Sequence, residues 1–177
     1  GDDKPREFLE ETAGACEAVA LPGERCGELR HLLAGLESFG YGPCCYAPGL
    51  ALAGAVLLKL GFEEEVSFWM LLAVVEDFVP GCHAKDLQGL CRDAAVAEVL
   101  VQSFLPAHAA ALSSAGLQPC WLTADCFLCL GAAGAPLATV VRFWDLCFLH
   151  GPRALFSGAL ARLELAWKLP AGGGSGA

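Results

Sequence analysis

The sequence predicts an all-α domain, an orthogonal multi-helix array with no strand hairpin and no second domain. Three observations point there. Ala and Leu dominate a chain of 177 residues that is 55% hydrophobic and only 18% charged, and both residues favour helix, while β-branched residues are sparse. Prolines and glycines cut the apolar stretches into pieces of ten to twenty residues, roughly the length of globular helices. Residues 136–151 (Pro-Leu-Ala-Thr-Val-Val-Arg-Phe-Trp-Asp-Leu-Cys-Phe-Leu-His-Gly) open on proline and close on glycine, the asymmetry of a helix start and stop.

Each element follows from such punctuation. Pro22-Gly23 separates an acidic helical segment, 6–20, from a second helix at about 25–39. Two prolines and three glycines make 40–49 a loop. A small-residue helix, about 50–60, stops at Gly61. Glu63-Glu64-Glu65 then begins a helix ending at Pro80-Gly81, its carboxylates facing the positive end of the helix dipole. Residues 93–104 form the next, with Val96, Val99, Leu100 and Phe104 at helical spacing as its expected inner stripe. A shorter helix follows at about 107–115, and residues 119–131 are again apolar.

The run 136–151 is apolar on nearly every side, so it is expected to be a central helix buried all round. Its charges, Arg142 and Asp145, are three residues apart and expected to satisfy each other, because an unpaired buried charge costs several kcal/mol. A last helix, 153–168, carries Leu155, Phe156, Ala159, Leu160, Leu163 and Trp167 on one stripe. The single domain is expected to occupy 1–168, and the Gly-rich tail 169–177 to be disordered.

Charge and composition exclude several function classes. A net charge of −9 argues against nucleic acid or an anionic membrane surface as the main partner and suits a basic or mixed protein surface. Mean hydropathy of +0.51 makes a membrane span worth testing. The longest uncharged stretch, 39–58, contains Pro43, Pro48 and four glycines, which argues against one. Ten cysteines invite a metal or disulfide reading that their spacing does not support. Cys126-x-x-Cys129 has no second pair to complete four ligands, Cys82-His83 lies far off in sequence, and Cys44-Cys45 is a poor disulfide framework. The cysteines are expected to be small core residues in a reducing, cytoplasmic setting, with no metal site. His31, His83, His108 and His150 are dispersed. No phosphate-binding loop, dinucleotide fingerprint or serine elbow is present.

The order of the pieces resembles the TBC domain, the all-helical GTPase-activating module of Rab-family small GTPases. The blocks are Leu29–Leu36, Tyr46–Leu58, Glu63–Pro80 with Phe68-Trp69, Leu87-x-Gly-Leu-x-x-Asp93, Leu105-Pro106 and Pro136–Gly151, covering about 29–163. The last is similar to the family's Arg-x-Trp-Asp block, in which Arg142, Trp144 and Asp145 are expected to bear the fold, as are Trp69 and Asp93.

The resemblance implies a Rab-type GTPase partner that itself carries GTP and Mg, with no cofactor on this chain, and a cytoplasmic protein brought to membranes through that partner. In the family an arginine from Ile-x-x-Asp-x-x-Arg meets the phosphates and a glutamine from Tyr-x-Gln positions the attacking water. Hydrolysis needs both tasks done. The Tyr-x-Gln position matches Tyr46-Ala47-Pro48, so proline stands where glutamine is expected. Sliding the loop to Tyr41-Gly42-Pro43 gives proline again, and the first glutamine of the chain is Gln88. Proline has no side-chain amide and no backbone N–H. Asp3-x-x-Arg6 stands about forty residues earlier, where the resemblance places the arginine finger. Asp3 and Tyr46 then become candidate partner contacts. The family's earlier N-terminal helices have no counterpart, so the resemblance implies a domain shortened at its N-terminal side.

The expectation is a degenerate TBC domain that binds a GTPase with weak or no activating power. The alternatives are an activator working through Arg6, and a structural interaction domain without a GTPase.

Overall fold

A computed structural model of the chain describes residues 4–39, 48–84 and 86–168. Among them the regular structure is entirely helical: α1 (Lys4–Ala18), α2 (Arg25–Ser38), α3 (Pro48–Lys59), α4 (Glu64–Ala73), α5 (Gln88–Phe104), α6 (Pro106–Ser114), α7 (Pro119–Leu128), α8 (Leu137–His150) and α9 (Arg153–Lys168). A π-helical turn, Val74–Phe78, continues α4. The tail 169–177 lies outside the described residues.

The boundaries follow local chemistry. Glu63 is the extended residue before α4, with Glu64 and Glu65 in its first turn. Pro106 and Pro119 open α6 and α7, where a missing N–H costs nothing. α5 begins five residues before the expected start, because Leu87 adopts φ +51° and the Asp86 carboxylate accepts the Gln88 N–H at 3.3 Å. α7 ends at Leu128, inside the apolar stretch 119–131, because Leu130 and Gly131 both turn left-handed.

One core runs through the molecule. Leu29, Leu32 and Leu36 of α2 and Leu50, Val56 and Leu58 of α3 are almost fully enclosed, together with Leu71, Phe127 and Leu155. A smaller cluster of Val101, Leu112 and Leu163 joins α5, α6 and α9. Phe127 and Phe156 meet with ring centroids 5.0 Å apart, tying α7 to α9.

Three expectations are overturned. The helix α8 is not buried all round: Val140, Trp144 and Cys147 are buried and Leu137 and Phe143 pack against the core, while Arg142 and Asp145 have side chains 86% and 62% exposed and Leu149 is 75% exposed. Uniform apolarity does not choose a face; packing does, and α8 is covered on one side. Likewise the inner stripe of α5 is Gly89, Asp93, Ala97 and Val101, and Val96, Val99 and Phe104 point to solvent. Small residues let α5 approach its neighbours, so the bulky stripe was turned outward. Trp167, assigned to the inner stripe of α9, is also exposed and stacks beside His108, centroids 4.9 Å apart.

Candidate functional site

The first turn of α3 is the focus, because it carries Pro48. Its position is fixed from both sides. On one side α2 and α3 run antiparallel: Arg25 at the start of α2 donates to the carbonyls of Leu58 and Phe62, the latter at 2.6 Å. Midway, Gly54 lies so near α2 that an added Cβ would stand 3.0 Å from Leu29 Cδ1. The end of α2 at Phe39 therefore lies at the same end of the pair as the start of α3.

On the other side Gly49 is pressed against the end of α7. A Cβ at Gly49 would stand 2.0 Å from the Leu128 carbonyl oxygen. Only glycine fits, and the register of the α3 start is thereby set. The same Leu128 carbonyl accepts a hydrogen bond from His83 Nε2 at 3.0 Å.

Lys59 Nζ donates to the Ala20 carbonyl at 2.6 Å, so α1 and α3, which pack together, bring their C-terminal ends to one place. Their first turns, with Arg6 in one and Pro48 in the other, lead toward the opposite end. Asp3 and Tyr46 lie outside the described residues.

The other sequence-selected residues lie inside the fold or on exposed helix faces. Asp93 is buried. It accepts hydrogen bonds from Arg92 Nε at 2.8 Å and the Cys82 thiol at 3.4 Å. Burial, and then the Asp93 charge, pushes the Cys82 thiol up to about 12. Trp144 Nε1 donates to the Leu130 carbonyl at 2.8 Å. Arg142 and Asp145 are 3.7 Å apart on the surface, worth about 0–1 kcal/mol. Trp69 is exposed on α4, beside Phe39 and Phe68.

His83 and the cysteines come nearer to each other than the sequence gave reason to expect, since His83 abuts the last turn of α7. Among the described residues no group of three His, Cys, Asp or Glu side chains is placed to hold an ion. Burial lowers the His83 pKa and so favours the neutral ring; with Nδ1 lacking a partner and a carbonyl able only to accept, the proton belongs on Nε2. Burial also raises Cys126 and Cys129 to about 11, which keeps both as protonated thiols. Arg162 pairs with Asp125 at 2.8 Å beside them.

Sequence reasoning missed Gly49 and Phe39. Gly49 was read as one of several loop glycines; its position directly after Pro48 was the available signal. Phe39 carried no signal of its own.

No single helix among the described residues is long and apolar enough to cross a membrane. Residues 28–169 match the family model of the Rab-GTPase-TBC domain. The chain is 33% identical over 119 residues to growth hormone-regulated TBC protein 1 of Rattus norvegicus, covering 67% of this chain and 41% of that protein. The Mus musculus protein of the same name is 33% identical over 152 residues, 85% of this chain and 38% of the relative. Small G protein signaling modulator 3 of Homo sapiens is 33% identical over 121 residues, 68% of this chain and 16% of the relative. The chain thus spans about two fifths or less of these relatives. No solved structure gives a significant match.

Proposed function

Because this chain belongs to the Rab-GTPase-TBC domain family, we propose that it binds a Rab-type GTPase in its GTP state and regulates it with little or no acceleration of hydrolysis. One observation carries the reading. Proline occupies the residue that opens α3, at the position where the family's glutamine is expected, and Gly49 pressed on Leu128 leaves α3 no room to slip and offer another residue. Without a side-chain amide there, nothing on this chain orients the attacking water in that position. GTP and Mg are carried by the GTPase, which also brings the chain to the cytoplasmic face of membranes in trafficking.

The placement of Arg6 in the first turn of α1 favours a second reading, in which the arginine neutralises phosphate charge and the GTPase supplies its own glutamine. A guanidinium is always charged and donates in several directions, and such a finger is worth about 10³–10⁵ in rate in GTPase systems.

The test is GTP hydrolysis by a panel of Rab-type GTPases with and without this chain, with direct binding measured on the same panel. Binding with hydrolysis near the intrinsic rate supports the first reading. Stimulation abolished by Arg6→Ala establishes the second. Neither binding nor stimulation overturns both and leaves a structural interaction domain.

A further inference from the structure

We infer that the exposed face formed by Phe39 at the end of α2 and by Trp69, Glu64 and Glu65 on α4 docks a segment of the GTPase partner in which a lysine or arginine stands beside an apolar side chain. This rests on the GTPase-binding reading above and specifies which surface feature of the GTPase is selected.

Phe39 is 56% and Trp69 53% exposed, yet both rings are held in place. Phe39 meets Phe68 and Trp69 edge-on at centroid distances of 5.5 and 6.3 Å, and Phe68 meets Trp69 at 5.1 Å. Phe68 is itself fitted over Gly35, where an added Cβ would stand 3.1 Å from its Cε2. Large aromatic rings fixed before binding lose little entropy when covered, which is the property of interface anchors. Beside them a groove of about 440 Å³ opens between α2 and α4, walled by His31, Gly35, Glu64 and Glu65.

The carboxylates that wall the groove are Glu64 and Glu65, and Glu63 precedes them in the chain. Among the residues that wall the groove His31 is the one base; it stands 3.7 Å from Glu64, with both side chains well exposed, and offsets little of the negative charge. A cationic side chain laid across Trp69 would gain from the ring face and from the carboxylates, while its aliphatic stem covers Phe39. The groove between α8 and α9 differs: Arg153 and His150 line it, so it does not suit the same segment.

Position adds the last argument. The antiparallel register of α2 and α3 puts Phe39 at the end of the pair where Pro48 opens α3, and His31–Glu64 and Gly35–Phe68 align α4 with α2 toward that same end. A GTPase seated at Pro48 has this face within reach.

The experiment measures equilibrium binding of the chain to the Rab-type panel loaded with a non-hydrolysable GTP analogue, at low and physiological salt. Wild type is compared with Trp69→Ala, Glu65→Lys and, on the exposed surface of α8, Leu149→Gln, each checked for helical content. Trp69→Ala and Glu65→Lys are expected to weaken binding about tenfold or more, Glu65→Lys with a smaller salt dependence than wild type, and Leu149→Gln to bind as wild type. Should Trp69→Ala fail to fold, Glu65→Lys decides alone, since Glu65 is exposed. Both variants binding as tightly as wild type, or Leu149→Gln losing as much, overturns the surface and leaves the GTPase reading intact. A wild-type chain that binds no GTPase removes both.

Discussion

Trp144 on α8 gives its indole N–H to the carbonyl of Leu130 at 2.8 Å, and Leu130 is held at φ +51°, a conformation leucine rarely takes. The bond spans the turn between α7 and α8 and secures that left-handed residue. Within one block of sequence, Trp144 enters the core while Arg142 and Asp145 remain in water.

Trp144→Phe keeps a ring in the core and leaves the Leu130 carbonyl without its donor. It should destabilise the fold by about 1–3 kcal/mol. Arg142→Ala and Asp145→Ala should each stay within about 0.5 kcal/mol. Urea unfolding midpoints of the three variants separate these expectations.

Gly49→Ala forces a methyl into the space of the Leu128 carbonyl, 2.0 Å from an ideal Cβ, and should cost about 1–3 kcal/mol or more as α3 shifts on α7. Gly14, inside α1, has nothing within 4 Å of an added Cβ, so Gly14→Ala should raise stability by roughly 0.5–1 kcal/mol. Thermal melts of the pair read the contrast.

His83 should make the fold acid-sensitive. Burial lowers its folded-state pKa below that of the unfolded chain, which is about 6.5. The unfolded state then binds more protons once pH falls below about 6.5, and linkage removes stability from there down to the folded-state pKa. Melting temperature should drop between pH 7.5 and 5.5 in the wild type, and drop less in His83→Gln. Equal losses in both would assign the acid sensitivity to other groups.

Pro48→Gln should raise stimulation of GTP hydrolysis on any GTPase that the wild-type chain binds, because an amide is returned to the first turn of α3. A folded Pro48→Gln protein that binds without any gain across the panel would count against the assignment of this position. Arg6→Ala in the Pro48→Gln background should remove the gain if both groups act together.

The helices were legible because their stops are covalent facts. Pro106, Pro119, Pro136 and Gly151 forbid or favour particular backbone angles wherever they occur, and the observed elements begin and end at them. The early start of α5 was not legible, since it depends on Leu87 accepting a left-handed turn. The candidate site was legible only in part. Pro48 and Arg6 stood out through the resemblance, whereas Gly49 and Phe39 acquire meaning from Leu128 and Trp69, which are distant in sequence.

By itself the sequence determined an all-helical chain, its order of blocks, its negative charge and the proline at position 48. Those properties are local or additive, and no folding partner is needed to evaluate them. Only the tertiary structure decided which face of each helix is inside. The outward turn of Val99 and Phe104, and the exposure of Arg142 beside a buried Trp144, arise because helices packed through small residues come closest. Hydrophobic burial is non-directional, so an apolar run does not specify its partner; close packing of α2, α3, α4 and α7 does, and it brings Pro48, Phe39 and Trp69 toward one end of the α2–α3 pair.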